Sequence, residues 1–167
     1  GYICTSPFPY DGIFRRAVLN FKFHNCGAYA ELLSYEMVRS IKDVYRDREF
    51  DLVTCVPMHK DTLRKRGYNQ AELLAKECAR LLGIEYADLL AKTKKNKTQH
   101  SIKAAERAKN VIGVYSPIDK SLIRGKRILI IDDIITTGST LGECARILNK
   151  CKCGEICCCT LCTSLLI

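Results

Sequence analysis

The chain has 167 residues, a size that predicts one domain able to bury about 70% of its unfolded surface. Its apolar fraction of 47% and charged fraction of 27% are those of an ordinary globular protein, and no apolar run approaches the roughly 18 residues of a membrane span. The net charge of +9 points to an anionic partner such as phosphates, a nucleic acid or an anionic membrane surface, although a solvated basic surface would give the same charge.

The first residues, GYICTSPFPYDG, show no basic start followed by an apolar stretch. We therefore expect no signal peptide, a cytoplasmic location and no insertion into a membrane. The eleven cysteines are an odd number, and several lie inside apolar segments. Both features favour reduced thiols over a disulfide framework.

Apolar residues at helical spacing predict two helices before any strand, over 11–23 and 28–45. The segment DLVTCVP (51–57) predicts a buried strand that ends at Pro57, and a basic loop follows it. An amphipathic helix is then predicted over 68–83, where Gly83 provides the stop signal.

The second half of the chain predicts strands over 86–92 and 110–117, separated by the polar, basic segment 93–110. The strongest predicted strand, KRILIID (126–132), precedes a helix over 139–150 and a last apolar strand over 154–167. Continuous apolar strands that alternate with helices predict an α/β fold with a mainly parallel central sheet. We divide the chain into an N-terminal helical cap (1–50) and a core (51–167).

The segment RILIIDDIITTGST (127–140) joins two carboxylates to a turn rich in hydroxyl groups. Ligands of open α/β sheets bind beyond the carboxyl ends of the strands, and the start of a helix suits a phosphate. A sugar phosphate would satisfy both halves, since carboxylates accept hydrogen bonds from ribose hydroxyls while the turn holds the phosphate. The alternative is a strand, an aspartate cap and a helix without function.

With its flanking segments, this motif resembles the loop that binds phosphoribosyl diphosphate (PRPP) in type I phosphoribosyltransferases. The matching segments are VPMHKDTLRKRGYNQAELLA (56–75), TQHSIKAAERAKNVIGVY (98–115) and RILIIDDIITTGSTLGECARIL (127–148), and YDGIFRRAVLNFKFHNC (10–26) matches more loosely. The RGYNQ segment is similar to the ComF branch, which is linked in bacteria to competence and DNA uptake. The resemblance implies the type I phosphoribosyltransferase fold.

The resemblance also implies roles for individual residues. Asp132 and Asp133 would hold the ribose hydroxyls and act as catalytic residues. The 5-phosphate would lie against the turn formed by Ile135, Thr136, Thr137, Gly138, Ser139 and Thr140. The pyrophosphate loop would consist of Val56, Pro57, Met58 and His59. In the 93–110 segment, which matches the mobile loop of the family, Gln99 would contact pyrophosphate and Arg107 would be catalytic.

Departure of pyrophosphate develops negative charge, which positive side chains and Mg²⁺ can stabilise. Arg64, Lys65, Arg66 and Arg107 are therefore candidates for pyrophosphate contacts, and a solvated basic face is the alternative for each of them. The cofactor implied is Mg²⁺. We assign no direct metal ligand and expect the ion near Asp132 and Asp133, because Mg²⁺ uses few protein ligands. The cysteine-rich zinc module that usually precedes the ComF catalytic domain is not carried over, because only Cys4 lies before the first predicted helix.

The remaining special residues have weaker predictions. We expect the cysteines of the last strand to pack in the core, with Cys159 and Cys162 on opposite faces, and we expect Cys151 and Cys153 to be the more exposed thiols. His59 and His100 could each donate to a phosphate, whereas His24 is expected at the surface. Lys22 could reach the site from the cap.

Three functions remain open at this point. The first is a Mg²⁺-dependent enzyme that transfers ribose 5-phosphate from PRPP to a nucleobase-like acceptor and releases pyrophosphate. The second is a non-catalytic protein that binds PRPP or a nucleotide. The third is a competence factor that contacts single-stranded DNA or competence proteins through its basic face. The sequence names no acceptor, and a homodimer is one option for its assembly.

Overall fold

The computed structural model describes residues 2–23, 27–95 and 111–165. The strands in this part of the chain are β1 (Ile3–Thr5), β2 (Phe8–Pro9), β3 (Leu52–Cys55), β4 (Glu85–Tyr86), β5 (Leu90–Lys92), β6 (Tyr115–Pro117), β7 (Arg127–Ile135) and β8 (Glu155–Thr163). The helices are α1 (Gly12–Phe23), α2 (Gly27–Val44), α3 (Lys60–Arg66), α4 (Gln70–Leu82), α5 (Lys120–Ile123) and α6 (Ser139–Lys150). Among these helices, none has the length and apolar character required to cross a membrane.

Six strands form a parallel sheet in the order β1-β8-β7-β3-β4, and β2 pairs with the end of β8. Strands β5 and β6 form a separate antiparallel hairpin. This arrangement confirms the predicted α/β fold with a mainly parallel sheet flanked by helices. The central strand β7 lies between β3 and β8, so that its backbone is paired on both sides.

The burial of the β7 side chains explains why this strand has the clearest apolar pattern in the sequence. Its four apolar residues 128–131 are fully buried, and they alternate between two hydrophobic cores on opposite faces of the sheet. The first core contains Leu129 and Ile131 and is covered by α1, α2 and α4. The second contains Ile128 and Ile130 and is covered by α6 and the β5–β6 hairpin. A strand buried on both faces has no polar alternation, as the sequence shows.

The two short strands at the start of the chain were missed. Strand β1 pairs with residues 157–159 of β8, and β2 pairs with its last residues. Segments of three and two residues are too short to show a periodic pattern. The first fifty residues therefore contribute strands to the sheet as well as helices, and the boundary at residue 50 stays a prediction.

Several predicted boundaries were wrong. The basic segment after β3 is the helix α3, whose ends are set by His59, which accepts a hydrogen bond from Asp61 N, and by Gly67 with φ of 87°. The predicted strand over 86–92 is divided between β4 and β5, and the strand over 110–117 is reduced to β6. Strand β7 continues to Ile135, and the short helix α5 was not predicted.

All ten cysteines in the described ranges are free thiols. The predicted core packing of the last strand is confirmed, because Cys157, Cys158, Cys159 and Cys162 are buried. Two details were wrong. Cys151 is buried at the end of α6, and Cys159 and Cys162 both pack in the first core. Within the described residues, no three His, Cys, Asp or Glu side chains are grouped in a way that could hold a metal ion.

Candidate functional site

The loop after β3 begins beside the last residues of β7, at the carboxyl edge of the sheet. Strands β3 and β7 are parallel neighbours, and Cys55 is paired with Ile131. The backbone N–H of Val56 also donates to the carbonyl of Ile131, at 3.0 Å. Residues 56–59 and the pair Asp132–Asp133 therefore begin at the same level of the sheet. The structure brings together the two segments that the sequence assigned to one ligand.

The turn over 136–140 leads directly into α6. Gly138 is the N-terminal capping position of this helix, and with φ of 75° and no side chain it provides no side-chain cap to the first amides. Thr136 and Thr137 are exposed, while Gly138, Ser139 and Thr140 are half-buried. These residues, with Asp132, line a small hollow of about 30 Å³. The exposed hydroxyls and the positive end of the helix give this hollow the chemistry of a phosphate site.

Two tyrosines from outside the motif support this turn. The hydroxyl of Tyr2, just before β1, donates to the carbonyl of Gly138 at 2.9 Å. Tyr115 of β6 lies close enough to Thr140 for their side chains to interact. Burial raises the pKa of Tyr2 to about 12, so its hydroxyl remains a donor at neutral pH. Sequence analysis missed both residues because neither is part of a recognisable motif.

The two aspartates occupy different environments. Asp132 lines the hollow and is half-buried, whereas Asp133 is only 7% exposed and points towards the cap. One oxygen of Asp133, Oδ2, accepts from Lys22 Nζ at 3.1 Å and from Gln70 Nε2 at 3.0 Å. The other oxygen accepts from the backbone N–H of Ile134 at 2.8 Å. The prediction that Lys22 reaches the site is confirmed, and Gln70 was missed although it lies in the quoted RGYNQ segment.

The electrostatics of the pair follow from this arrangement. Burial and the neighbouring charge of Asp133 raise the pKa of Asp132 well above the usual value of a carboxyl. The backbone N–H of Asp133 donates to Asp132 Oδ1 at 2.9 Å, and this hydrogen bond lowers the pKa of Asp132. A cationic group brought close to Asp132 by a ligand would favour its ionised form.

The predicted pyrophosphate loop borders a larger cleft of about 500 Å³. Pro57, Met58 and His59 line it, whereas Val56 is buried and its carbonyl accepts from Asn69 Nδ2 at 3.1 Å. Lys60 and Lys92 also line the cleft, and sequence analysis did not single out either. Glu72 and Asp88 line the same cleft, so its lining carries both signs of charge beside the half-buried loop. The two lysines are the groups in this lining that suit a phosphate-bearing ligand.

The three basic residues of α3 that were predicted to contact pyrophosphate lie outside the lining of this cleft. Arg64 and Lys65 are exposed, and Arg64 Nη1 lies 3.9 Å from Asp61 Oδ1. Arg66 is half-buried and donates to Gln70 Oε1 at 2.9 Å. These side chains do not line the cleft, and their assignment to pyrophosphate stays a prediction.

Lys92 is the more buried of the two cleft lysines that sequence analysis did not single out. Its Nζ lies 5.7 Å from the centre of the Tyr115 ring, and burial lowers its pKa although Asp132 is close enough to act against this effect. A half-buried lysine near a carboxylate and a ligand cleft is typical of a functional cation. The predicted contacts Gln99 and Arg107, with His24 and His100, lie outside the described residues.

A family model described as "Phosphoribosyl transferase domain" matches residues 69–165, which is more than half of the chain. The chain belongs to this family. Two curated relatives are 31% identical: Competence protein F of Haemophilus influenzae over 144 residues, and Competence protein ComFC of Bacillus subtilis over 152 residues. The DNA utilization protein YhgH of Escherichia coli is 30% identical over 101 residues. These relatives assign the chain to the ComF branch of the type I phosphoribosyltransferases.

The alignments differ in the share of each protein that they cover. The alignment with Competence protein F covers 83% of this chain and 63% of that protein. The alignment with ComFC covers 90% of this chain and 60% of that protein, and the alignment with YhgH covers 60% and 44%. The chain thus spans less than two thirds of the length of each of these three relatives.

Solved structures agree on the fold. The glutamine PRPP amidotransferase from B. subtilis, complexed with ADP and GMP, has a TM-score of 0.56 and 18% identity, and the match covers 84% of this chain and 30% of that one. The PRPP synthetase from Mycobacterium smegmatis has a TM-score of 0.50 and 16% identity, over 80% of this chain and 34% of that one. At this level of identity, both matches bear on the fold alone.

Proposed function

We propose that this chain binds PRPP and transfers its ribose 5-phosphate group to a nucleobase-like nitrogenous acceptor in a Mg²⁺-dependent reaction that releases pyrophosphate. The observation that carries the proposal is the shared edge of β3 and β7. There the hollow lined by Asp132 and the hydroxyl-rich turn is adjacent to the loop that borders the larger cleft. This order fits the three parts of PRPP: phosphate, ribose and pyrophosphate.

Each part of the ligand would have its own group of residues. The turn over 136–140, with the first amides of α6, would bind the 5-phosphate. Asp132 would accept hydrogen bonds from ribose hydroxyls. The backbone after Pro57, together with Lys60 and Lys92 at the cleft, would bind pyrophosphate through charge-assisted hydrogen bonds.

The reaction would break the bond between C1 of the ribose and the pyrophosphate oxygen, and the bonding electrons would leave with pyrophosphate. A nitrogen lone pair of the acceptor would form the new bond to C1, and the acceptor would lose its proton to solvent. The ammonium groups of Lys60 and Lys92 would stabilise the negative charge on the leaving group more strongly as that charge develops. The predicted catalytic Arg107 would add to this effect.

The donor set fits Mg²⁺. This ion prefers one or two carboxylates together with substrate phosphates and water, and Asp132 offers a carboxylate beside the hollow. Bound there with PRPP, Mg²⁺ would neutralise charge on the phosphate oxygens.

The test measures PRPP binding and turnover separately. Calorimetry with PRPP and Mg²⁺ should show binding, and pyrophosphate release should follow with at least one member of a panel of nucleobases. Replacing both carboxylates (Asp132→Asn with Asp133→Asn) should lower the rate of release by about 100-fold or more. Binding without release over the whole panel would favour the non-catalytic alternative, and a lack of binding would refute both.

A second candidate function, contact with single-stranded DNA, is favoured by the exposed cations of α3 and the neighbouring Lys94 and Lys95. The names of the relatives also refer to competence and DNA utilization. Binding of a labelled oligonucleotide should then fall steeply as salt rises, and Arg64→Gln with Lys65→Gln should reduce the slope by about two. Affinity that is independent of salt would contradict this function. The exposed Lys42→Gln on α2 is the control.

A further inference from the structure

The RGYNQ segment (66–70) links the cap to both halves of the site. Tyr68 donates to the carbonyl of Phe21 in α1. Asn69 donates to the carbonyl of Val56 in the pyrophosphate loop, at 3.1 Å. Gln70 donates to Asp133 at 3.0 Å. Three consecutive side chains therefore contact three different parts of the molecule that surround the candidate ligand.

Gln70 is held in place by its own neighbours. It is the first residue of α4 and is 6% exposed, and its Oε1 accepts from Arg66 Nη1 at 2.9 Å. With this oxygen engaged by a guanidinium, the amide Nε2 is turned towards Asp133. A donor fixed in this way determines the orientation of the carboxylate that it contacts.

Lys22 is the second side chain that contacts Oδ2 of Asp133. It belongs to the last turn of α1, and its side chain is 23% exposed against 10% for that of Asp133. Because Oδ1 accepts from the backbone of Ile134, the described contacts of Asp133 occupy both of its oxygens. Asp132, by contrast, faces the hollow, and its Oδ1 is oriented by the N–H of Asp133.

We propose that Lys22 and Gln70 are positioning residues that fix Asp133, so that Asp132 presents its carboxylate to the ribose. In this arrangement the two neighbouring aspartates have different roles. Asp132 contacts the ligand, and Asp133 links the cap helix α1 and the start of α4 to the ribose end of the site. The inference rests on the proposed function, since it specifies how the same site holds the ribose.

The test compares ligands that share only part of PRPP. Lys22→Met and Gln70→Met, which preserve approximate side-chain length, should each lower the affinity for ribose 5-phosphate and PRPP about tenfold or more in calorimetry. The affinity for pyrophosphate measured without Mg²⁺ should stay within about twofold, because that ligand has neither a ribose nor a metal ion held by Asp132. Lys22→Arg keeps a cation and should restore most of the affinity for ribose 5-phosphate. A general loss of structure would weaken all three ligands together and would refute the positioning role.

Two exposed basic residues, one on α2 and one on α4, provide the control variants. Lys42→Met at the end of α2 and Arg80→Gln in the last turn of α4 remove exposed cations far from Asp133 and should leave all three affinities unchanged. A loss in these variants equal to that in Lys22→Met would contradict the inference.

A measurement without ligand separates this inference from the proposed function. In a crystal structure of Lys22→Met with Gln70→Met, the carboxylate of Asp133 should leave its present orientation. An unchanged Asp133 would overturn the inference even where PRPP binds. A displaced Asp133 would support it even if the wild-type protein fails to bind PRPP, a result that would refute the proposed function alone.

Discussion

Gly138 shows how a single residue determines the local geometry of the phosphate turn. Its φ of 75° lies in the left-handed region that residues with a Cβ rarely adopt. A Cβ at this position would also approach the hydroxyl oxygen of Tyr2 to 3.0 Å. The turn therefore requires glycine both for its backbone conformation and for the contact with Tyr2.

Gly138→Ala should lower the free energy of unfolding by about 1–3 kcal/mol, because the backbone is strained and Tyr2 must move. It should also weaken the binding of ribose 5-phosphate, since the turn loses its contact with Tyr2. Urea denaturation and calorimetry would measure the two effects.

Gly142→Ala, one turn further along α6, is the matched control. Its Cβ would meet Tyr2 Cε1 at 3.7 Å, an ordinary contact, and alanine inside a helix is favoured over glycine by about 0.5–1 kcal/mol. This variant should be as stable as the wild-type protein or more stable. Equal destabilisation by both substitutions would mean that the conformation of Gly138 is not the cause.

At the scale of elements, the start of α4 is tied to the loop after β3 by one side chain, that of Asn69. Asn69 is the capping residue of α4: its Oδ1 accepts from Ala71 N at 3.1 Å, while its Nδ2 donates to Val56 O. One side chain thus satisfies a helix end and a loop carbonyl at the same time.

Substitutions at Asn69 should separate these two contributions. Asn69→Ala removes both contacts and should cost about 1–2 kcal/mol of unfolding free energy. Asn69→Asp keeps an acceptor for the cap but loses the donor to Val56. Both variants should weaken pyrophosphate binding, and Asn69→Asp should be the more stable of the two. Asp119→Ala removes the exposed cap of α5 and should leave the affinity intact.

The pairing of β3 with β7 is reinforced by an ion pair at the opposite edge of the sheet. Asp51 Oδ2 accepts from the backbone N–H of Arg127 at 2.8 Å, and Arg127 Nη2 donates to Asp51 Oδ1 at 2.8 Å. These hydrogen bonds from Arg127 hold the pKa of Asp51 well below its usual range. A depressed carboxyl pKa contributes stability above the unfolded value near 4, and this contribution is lost as the pH falls towards the folded value.

Asp51→Asn should therefore be less stable than the wild-type protein at pH 7, and the difference should shrink below about pH 4. Guanidinium denaturation at pH 7, 5 and 3 measures this convergence. The exposed Asp43→Asn on α2 is the control. A constant difference at all three pH values would show that the pair does not determine the pH dependence.

The sequence predicted the elements whose own residues determine them. Strand β7 and helices α4 and α6 have strong apolar patterns, and the turn over 136–140 is a recognisable motif. It did not predict α3, because a short exposed helix lacks apolar periodicity, nor β1 and β2, which exist through pairing with β8. The partners of Asp133 were only partly foreseen, since contacts between Lys22, Gln70 and Asp133 depend on tertiary packing.

At the scale of the whole molecule, the thiols are distributed unevenly between surface and core. Eight of the ten described cysteines are buried, and only Cys4 and Cys153 are partly exposed. Burial raises the pKa of Cys158 and Cys159 well above the usual value of a thiol, so both would remain protonated and protected at neutral pH.

Thiol labelling should reflect this distribution. In the native protein, Cys153 and Cys4 should react with a maleimide well before the cysteines of β8, which should react only when the protein unfolds. Mass spectrometry of peptides after timed labelling, with a sample in denaturant as the control, resolves the order. Early modification of Cys158 or Cys159 would indicate that the sheet opens locally.

The pairing of β1 with β8 also bears on the order of events during synthesis. Residues 3–5 leave the ribosome before β3, α4 and β7, whereas their partners, residues 157–159, emerge only after these elements have been made. Strand β1 therefore stays unpaired until β8 has been made. The hydrogen bond from Tyr2 to Gly138 can form only after β8 has paired between β1 and β7. A stalled nascent chain that ends before β8 would carry every residue of the ribose and phosphate site, yet would lack the strand that holds Tyr2 against it.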